Sequence, residues 1–161
     1  MALIKNRELV EDSFTQLDQD APLPESGDIL VPLARYQAER DALKSHAGQV
    51  GVLLPSDANA ADAAAVADEV ALLAIQFKTY TDGRGYSLAR RLRTQHDYRK
   101  ELRAVGDVLR DQLHYMARCG FDSFGLKDGK DAQGALQAFN EFSVAYQGAA
   151  DDPRPLFRRR A

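Results

Sequence analysis

The residues of this chain best suited to chemistry lie in two short runs. The first is Thr81-Asp82-Gly83-Arg84-Gly85-Tyr86-Ser87. It follows an apolar stretch and precedes an amphipathic one. Two glycines before a helix can turn consecutive backbone N–H groups toward an anion. The helix adds roughly half a positive charge at that end. Arg84 stands between the glycines, and Arg90 and Arg91 follow. The set suits sulfite, sulfate, phosphate or a carboxylate. The plainer reading is a tight turn capped by Asp82, with its arginines in water. The run has neither the third glycine of a dinucleotide fingerprint nor the lysine of a phosphate-binding loop.

The second run is Gly106-Asp107-Val108-Leu109-Arg110-Asp111-Gln112, preceded by Arg103 inside an apolar stretch. Asp107 and Asp111 lie one helical turn apart, with Arg110 beside them. A cation in a first helical turn opposes the helix dipole, so Arg110 calls for a compensating acid. Arg103 calls for one more strongly, because an unpaired buried charge is very costly. Asp107 or Asp111 is expected to hold Arg84 or Arg103, and an acid at the next strand end is the preferred partner for Arg103. Tyr86, Asp107 and Asp111 are the candidate acids or bases. The plainer reading makes Asp107 an N-cap, Asp111 an ordinary first-turn acid and the Arg103 pair purely structural.

These runs need elements to carry them. Residues 2–17 alternate weakly and read as a hairpin or edge-strand pair, and 18–28 as a loop rich in Asp, Pro, Gly and Ser. A regular alternation follows. Strands are expected at 29–31, 50–54, 72–77, 102–105 and 121–126. Helices are expected at 32–46, 58–70, 87–96, 108–119 and 131–146. Pro32 opens the first helix, Ser56 or Asp57 caps the second, and Asp107 caps the fourth. Strands alternating with helices mean parallel pairing and right-handed crossovers. The fold class is therefore α/β, a small parallel sheet of repeated strand–helix units. It is either an open sheet or a half (β/α) barrel, with an N-terminal hairpin or edge strands. A half barrel would leave open edges and invite pairing with a second copy, a possible homo-oligomer. Residues 1–147 form one domain, with the hairpin and loop in 1–28, and 148–161 read as a flexible tail. In that tail Pro155, Leu156 and Phe157, flanked by arginines, form a candidate docking peptide.

Totals narrow the function classes. The chain has 161 residues and a net charge of −3, which argues against a nucleic-acid partner. A single cysteine, Cys119, excludes an internal disulfide, a dithiol redox pair and a cluster held by this chain alone. It reads as a small buried hydrophobe at a helix end. The three histidines, His46, His96 and His114, have no metal-site spacing. No cofactor is implied. No apolar run is long enough to span a bilayer and residues 1–7 lack a secretory pattern, so a cytoplasmic protein without a membrane partner is expected.

Thr81-Asp82-Gly83-Arg84-Gly85-Tyr86-Ser87-Leu88-Ala89-Arg90 resembles the central signature of an uncharacterised bacterial family. So does Glu101-Leu102-Arg103-Ala104-Val105-Gly106-Asp107-Val108-Leu109-Arg110-Asp111-Gln112, followed by Tyr115-Met116 and Arg118-Cys119-Gly120-Phe121-Asp122. Members are described as domains of unknown function or as probable oxidoreductases involved in sulfite reduction. The resemblance implies sulfur assimilation and a gene neighbourhood with assimilatory sulfite reductase. It supplies no catalytic residues. Two functions follow as expectations. One is an accessory protein that binds sulfite reductase or its electron donor, through the Arg84–Asp107 edge and the tail. The other is a small enzyme or binding protein for a sulfur oxyanion or phosphorylated metabolite. In it Gly83 and Gly85 cradle the anion, and Arg84, Arg90, Arg103 and Arg110 supply charge. A concave hollow shared by Arg84, Arg103 and Asp107 favours the second; an exposed patch suffices for the first.

Overall fold

The structure is a computed structural model that describes residues 2–79, 81–126 and 132–141. It opens with the expected hairpin, β1 (Ala2–Lys5) and β2 (Glu8–Glu11). Asn6 and Arg7 form its turn with φ of 52° and 67°, the primed geometry that matches strand twist. A third short strand, β3 (Phe14–Gln16), starts two residues after β2. The strand–helix units then follow. They are β4 (Asp28–Pro32), α1 (Leu33–Ala38), α2 (Arg40–Lys44), β5 (Val50–Pro55), α3 (Ala60–Ala67), β6 (Leu72–Phe77), α4 (Arg84–Thr94), β7 (Glu101–Gly106), α5 (Leu113–Cys119), β8 (Ser123–Gly125) and α6 (Ala132–Glu141).

One eight-stranded sheet results, in the order β2-β1-β8-β7-β6-β5-β4-β3. From β3 to β8 each strand pairs in parallel with its neighbour in sequence. The order never reverses, as it would in a doubly wound open sheet. Right-handed crossovers that all step the same way place their helices on one face. The fold is the half (β/α) barrel, a curled, mostly parallel sheet with an antiparallel hairpin at one edge.

The degree of curl follows from chain length. β2 and β3 lie at opposite edges of the sheet, yet only Asp12 and Ser13 separate them. That connection spans at most about 11 Å. A flat sheet of this size would hold its edges about 34 Å apart. The sheet must therefore bend until its edges nearly meet, and residues 8–16 form one run whose first half pairs with β1 and second half with β4. The open edges expected of a half barrel are thus both occupied by the same run.

Alternation along each strand divides the core. Ile29, Val31, Val52, Leu54, Leu73, Ile75 and Leu102 face the helices and pack with Leu88, Leu92, Leu113 and Met116. Leu30, Leu53, Leu72, Ala74 and Val105 point inward and form a second, smaller cluster with Phe14. Arg103 shares this inner face; it aligns with Ala74 on β6 and Ser123 on β8.

Several boundaries differ from the sequence reading. The helix expected to begin at Ser87 begins at Arg84, so Gly85 is helical. The helix expected at 32–46 is broken at Glu39, whose φ of −116° and ψ of 30° end one turn and start the next. Asn59, not Ser56 or Asp57, caps α3, accepting the Ala61 N–H at 2.8 Å. The N-cap position of α5 is Gln112, not Asp107, whose N–H donates to the Phe77 carbonyl at 2.8 Å. A 3-10 turn at Arg110–Gln112 leads into α5, which starts only at Leu113. The docking residues Pro155, Leu156 and Phe157 lie outside the described residues.

Candidate functional site

The two glycine-bearing corners meet at one rim, the C-terminal edge of β6 and β7, and Phe77 joins them. Phe77 aligns with Gly106 across the two strands. Gly106 has φ of 91°, and a Cβ there would lie 2.3 Å from the Phe77 carbonyl oxygen. Only glycine fits such a place. Gly85 serves packing instead, since its Cβ would lie 2.5 Å from the Phe77 ring. Across the rim the Tyr86 hydroxyl donates to Gln112 Oε1 at 3.0 Å, and the Tyr86 and Tyr115 rings are 5.1 Å apart.

At the first corner the start of α4 already carries an anion, the Asp82 carboxylate. Asp82 Oδ1 accepts the Arg84 backbone N–H at 3.2 Å and Arg84 Nε–H at 3.0 Å. Asp82 Oδ2 accepts Arg84 Nη2–H at 3.1 Å and the hydroxyl of buried Ser56. Arg84 Nη1 reaches Asp57 at 3.7 Å. The Arg84 bonds first, and the Ser56 bond second, hold Asp82 well below the usual carboxylate range. Gly83 has an ordinary φ of −68° and Ser87 N–H donates to its carbonyl at 3.4 Å, so no strained cradle forms there. Arg90 lies 3.9 Å from the buried Cys119 sulfur. Arg110 and Asp111 lie in the 3-10 turn, where Asp111 is exposed.

Arg103 is 3% exposed and doubly paired. Its Nη1 donates to Asp12 at 2.9 Å, and its Nε and Nη2 to Glu101 Oε1 at 3.1 and 2.9 Å. The Phe14 ring centroid lies 5.3 Å from its guanidinium carbon, within cation–π range. The need for a partner was readable in the sequence; the partners were not, being Asp12 and Glu101 and not Asp107, Asp111 or an acid at the next strand end. Asp12 comes from the run that bridges the sheet edges, and Glu101 from the same strand two residues earlier. Lys5 brackets Glu101 from the other side at 3.0 Å. Burial pushes the Glu101 carboxyl up, but Arg103 and Lys5 more than offset this and its pKa lies below the ordinary value.

A hollow of about 430 Å³ opens where β6, β7 and β8 end. Gln76, Lys78 and Asp107 stand on its strand-end side, and Asp12, Phe14 and Gln16 on the side of the bridging run. Leu30, Arg103, Val105 and Leu126 also line it. Arg103 and Asp107 therefore share a concave space, but Arg84 is not among its lining residues, so the hollow expected of all three holds only two. Lys78, Gln16 and Gln76 were missed by sequence reasoning. A lysine immediately after a buried parallel strand, at the end where (β/α) proteins place their sites, was the available signal. Lys78 is exposed and pairs with no acid among the described residues.

A second hollow, of about 660 Å³, lies on the side of Lys5, Lys100 and Asp122. Its cations are spent. Lys5 is bound to Glu101, and Lys100 donates to the carbonyls of Ala67, Asp68 and Val70 at 3.1, 3.2 and 2.9 Å. Arg103 lines both hollows and lies between them. Among the described residues no group of three or more His, Cys, Asp or Glu is placed to hold a metal ion. Among them, too, no helix is long and apolar enough to cross a membrane.

Fold and site together define a (β/α) half-barrel protein with a polar-rimmed hollow at the C-terminal ends of its strands. The family model for bacterial proteins of unknown function, DUF934, matches residues 51–157, and the chain belongs to that family. No curated protein matches the chain.

Proposed function

We propose that this protein binds a small molecule bearing an anionic group in the hollow at the ends of β6, β7 and β8. Lys78 carries the proposal. It is a lining cation without an acid partner among the described residues, in a hollow that also holds the Arg103 guanidinium. Three of the five Arg103 N–H groups are bound to Asp12 and Glu101, which leaves others for a ligand. Ligands of (β/α) folds collect at this end of the strands, which is support by analogy of fold. The resemblance to proteins of sulfite reduction favours a sulfur oxyanion or phosphorylated metabolite of sulfur assimilation.

The test is calorimetric titration with inorganic sulfite, sulfate and phosphate. The expected result is saturable binding that Lys78→Ala weakens about tenfold or more, since a hydrogen bond to a charged group contributes about 1.5–3 kcal/mol. No binding of these ions or of phenyl phosphate by the wild-type chain, or equal affinity in the variant, refutes the proposal.

A second reading is an accessory protein that docks on sulfite reductase or its electron donor. The exposed rim favours it. Arg84 and Asp57 have side chains 65% and 62% exposed, and Tyr115 is half exposed on α5. Co-purification from a native host tests this reading. No complex at micromolar concentration, together with unchanged sulfite reduction after gene deletion, counts against it.

A further inference from the structure

We infer that the ligand of this hollow is an organic anion, a phosphate, sulfonate or carboxylate carried on an apolar body, and not a bare inorganic oxyanion. The inference rests on the reading that the hollow binds an anion at Lys78 and adds what else the site must recognise. Size speaks first. A space of about 430 Å³ could take on the order of ten waters at about 30 Å³ each. An oxyanion of four or five heavy atoms displaces only a few of them. The rest of the ligand needs a body.

The wall says what kind of body. Phe14, the least covered of the four, and the edges of Leu30, Val105 and Leu126 offer carbon surface. Such a wall gives nothing to a strongly hydrated ion, and it rewards an apolar group that covers it. Gln16 and Gln76 add neutral amides to the lining, suited to hydroxyl, ester or amide groups of an organic ligand. A ligand whose apolar body removes about 100 Å² of carbon surface from water, its own and the wall's together, gains tenfold or more in affinity, even after ordering costs.

The full chain is titrated calorimetrically with inorganic phosphate, inorganic sulfate, phenyl phosphate and benzenesulfonate, with benzyl alcohol as the uncharged body. Phenyl phosphate and benzenesulfonate are expected to bind at least about tenfold tighter than phosphate and sulfate. Lys78→Ala weakens every anion. Val105→Thr, which exchanges a methyl for a hydroxyl, reduces the organic advantage several-fold. The wild-type affinity ratio needs no variant, so the inference stays falsifiable if Val105→Thr misfolds. Lys78-dependent binding with equal affinities for organic and inorganic anions overturns this inference and leaves anion binding standing. Benzyl alcohol binding as tightly as phenyl phosphate, or no probe binding at all, overturns both.

Discussion

Replacing Arg103 with methionine removes the cation at the centre of the curled sheet and keeps most of its stem. The substitution leaves Asp12 and Glu101 without their shared partner, at side-chain exposures of 14% and 11%. Removing one member of a buried pair costs about 3–5 kcal/mol. Lys5 remains on Glu101 at 3.0 Å, which moves the expectation to the lower end, about 3 kcal/mol. For a chain of this size that corresponds to a fall of about 6–12 °C in Tm. The loss is also pH-dependent. In the wild type Glu101 titrates below its ordinary value of 4.5, so it adds stability above that pH, and this is lost as pH falls through the folded value. Without Arg103 this contribution shrinks or reverses. The gap between wild type and variant is therefore widest at neutral pH and narrows below about pH 4.5. Urea and thermal unfolding across pH 3–8 measure it. A gap under about 1 kcal/mol at pH 7, or one that widens in acid, refutes the account of Arg103 as a buried, doubly compensated charge.

Other expectations are as specific. Gly106→Ala places a Cβ 2.3 Å from the Phe77 carbonyl at a positive φ and should cost about 2 kcal/mol or more by urea unfolding, whereas Gly83→Ala meets nothing within 4 Å and should change stability by less than about 0.5 kcal/mol. Asp82 titrates below its ordinary value of 3.8 because Arg84 first, and Ser56 second, stabilise its charge; its stability is present above that value and lost as pH falls through the folded one. Asp82→Asn should therefore lower Tm at pH 7 and flatten the acid limb of the Tm–pH curve. Lys78→Ala lies outside these networks and should leave Tm within about 2 °C of wild type, so that its loss of anion affinity reports binding alone.

Much of the scaffold was legible because it is local. The run 72–77 is apolar but for Gln76, and the structure makes all of it β6. The Asn6-Arg7 turn lies between short alternating stretches, and a hairpin was expected there. What stayed hidden depends on contacts distant in sequence or on competition nearby. Arg84 looked available for a ligand because its acid, Asp82, looked like a cap. Asp82 instead binds the Arg84 backbone and guanidinium together, with Ser56 approaching from 26 residues upstream. The partner of Arg103 was harder still, since Asp12 is 91 residues away and reaches it only because the sheet curls. Lys78 went unnoticed because a lysine after a strand ordinarily points into water. Its interest comes from the hollow beside it, and no local pattern encodes a hollow.

The pairing of Leu3 with Gly125 carries a kinetic consequence. β1 finds one of its two neighbours, β8, only after nearly the whole sheet has been synthesised. Loops of that length close slowly, and contacts so remote in sequence raise the barrier to folding. The central staves can dock in order as they emerge, each on its predecessor. Annealing of the first hairpin against the last stave then comes late. Until it does, β8 keeps an open edge, and a nascent chain held at that stage is the form most exposed to aggregation.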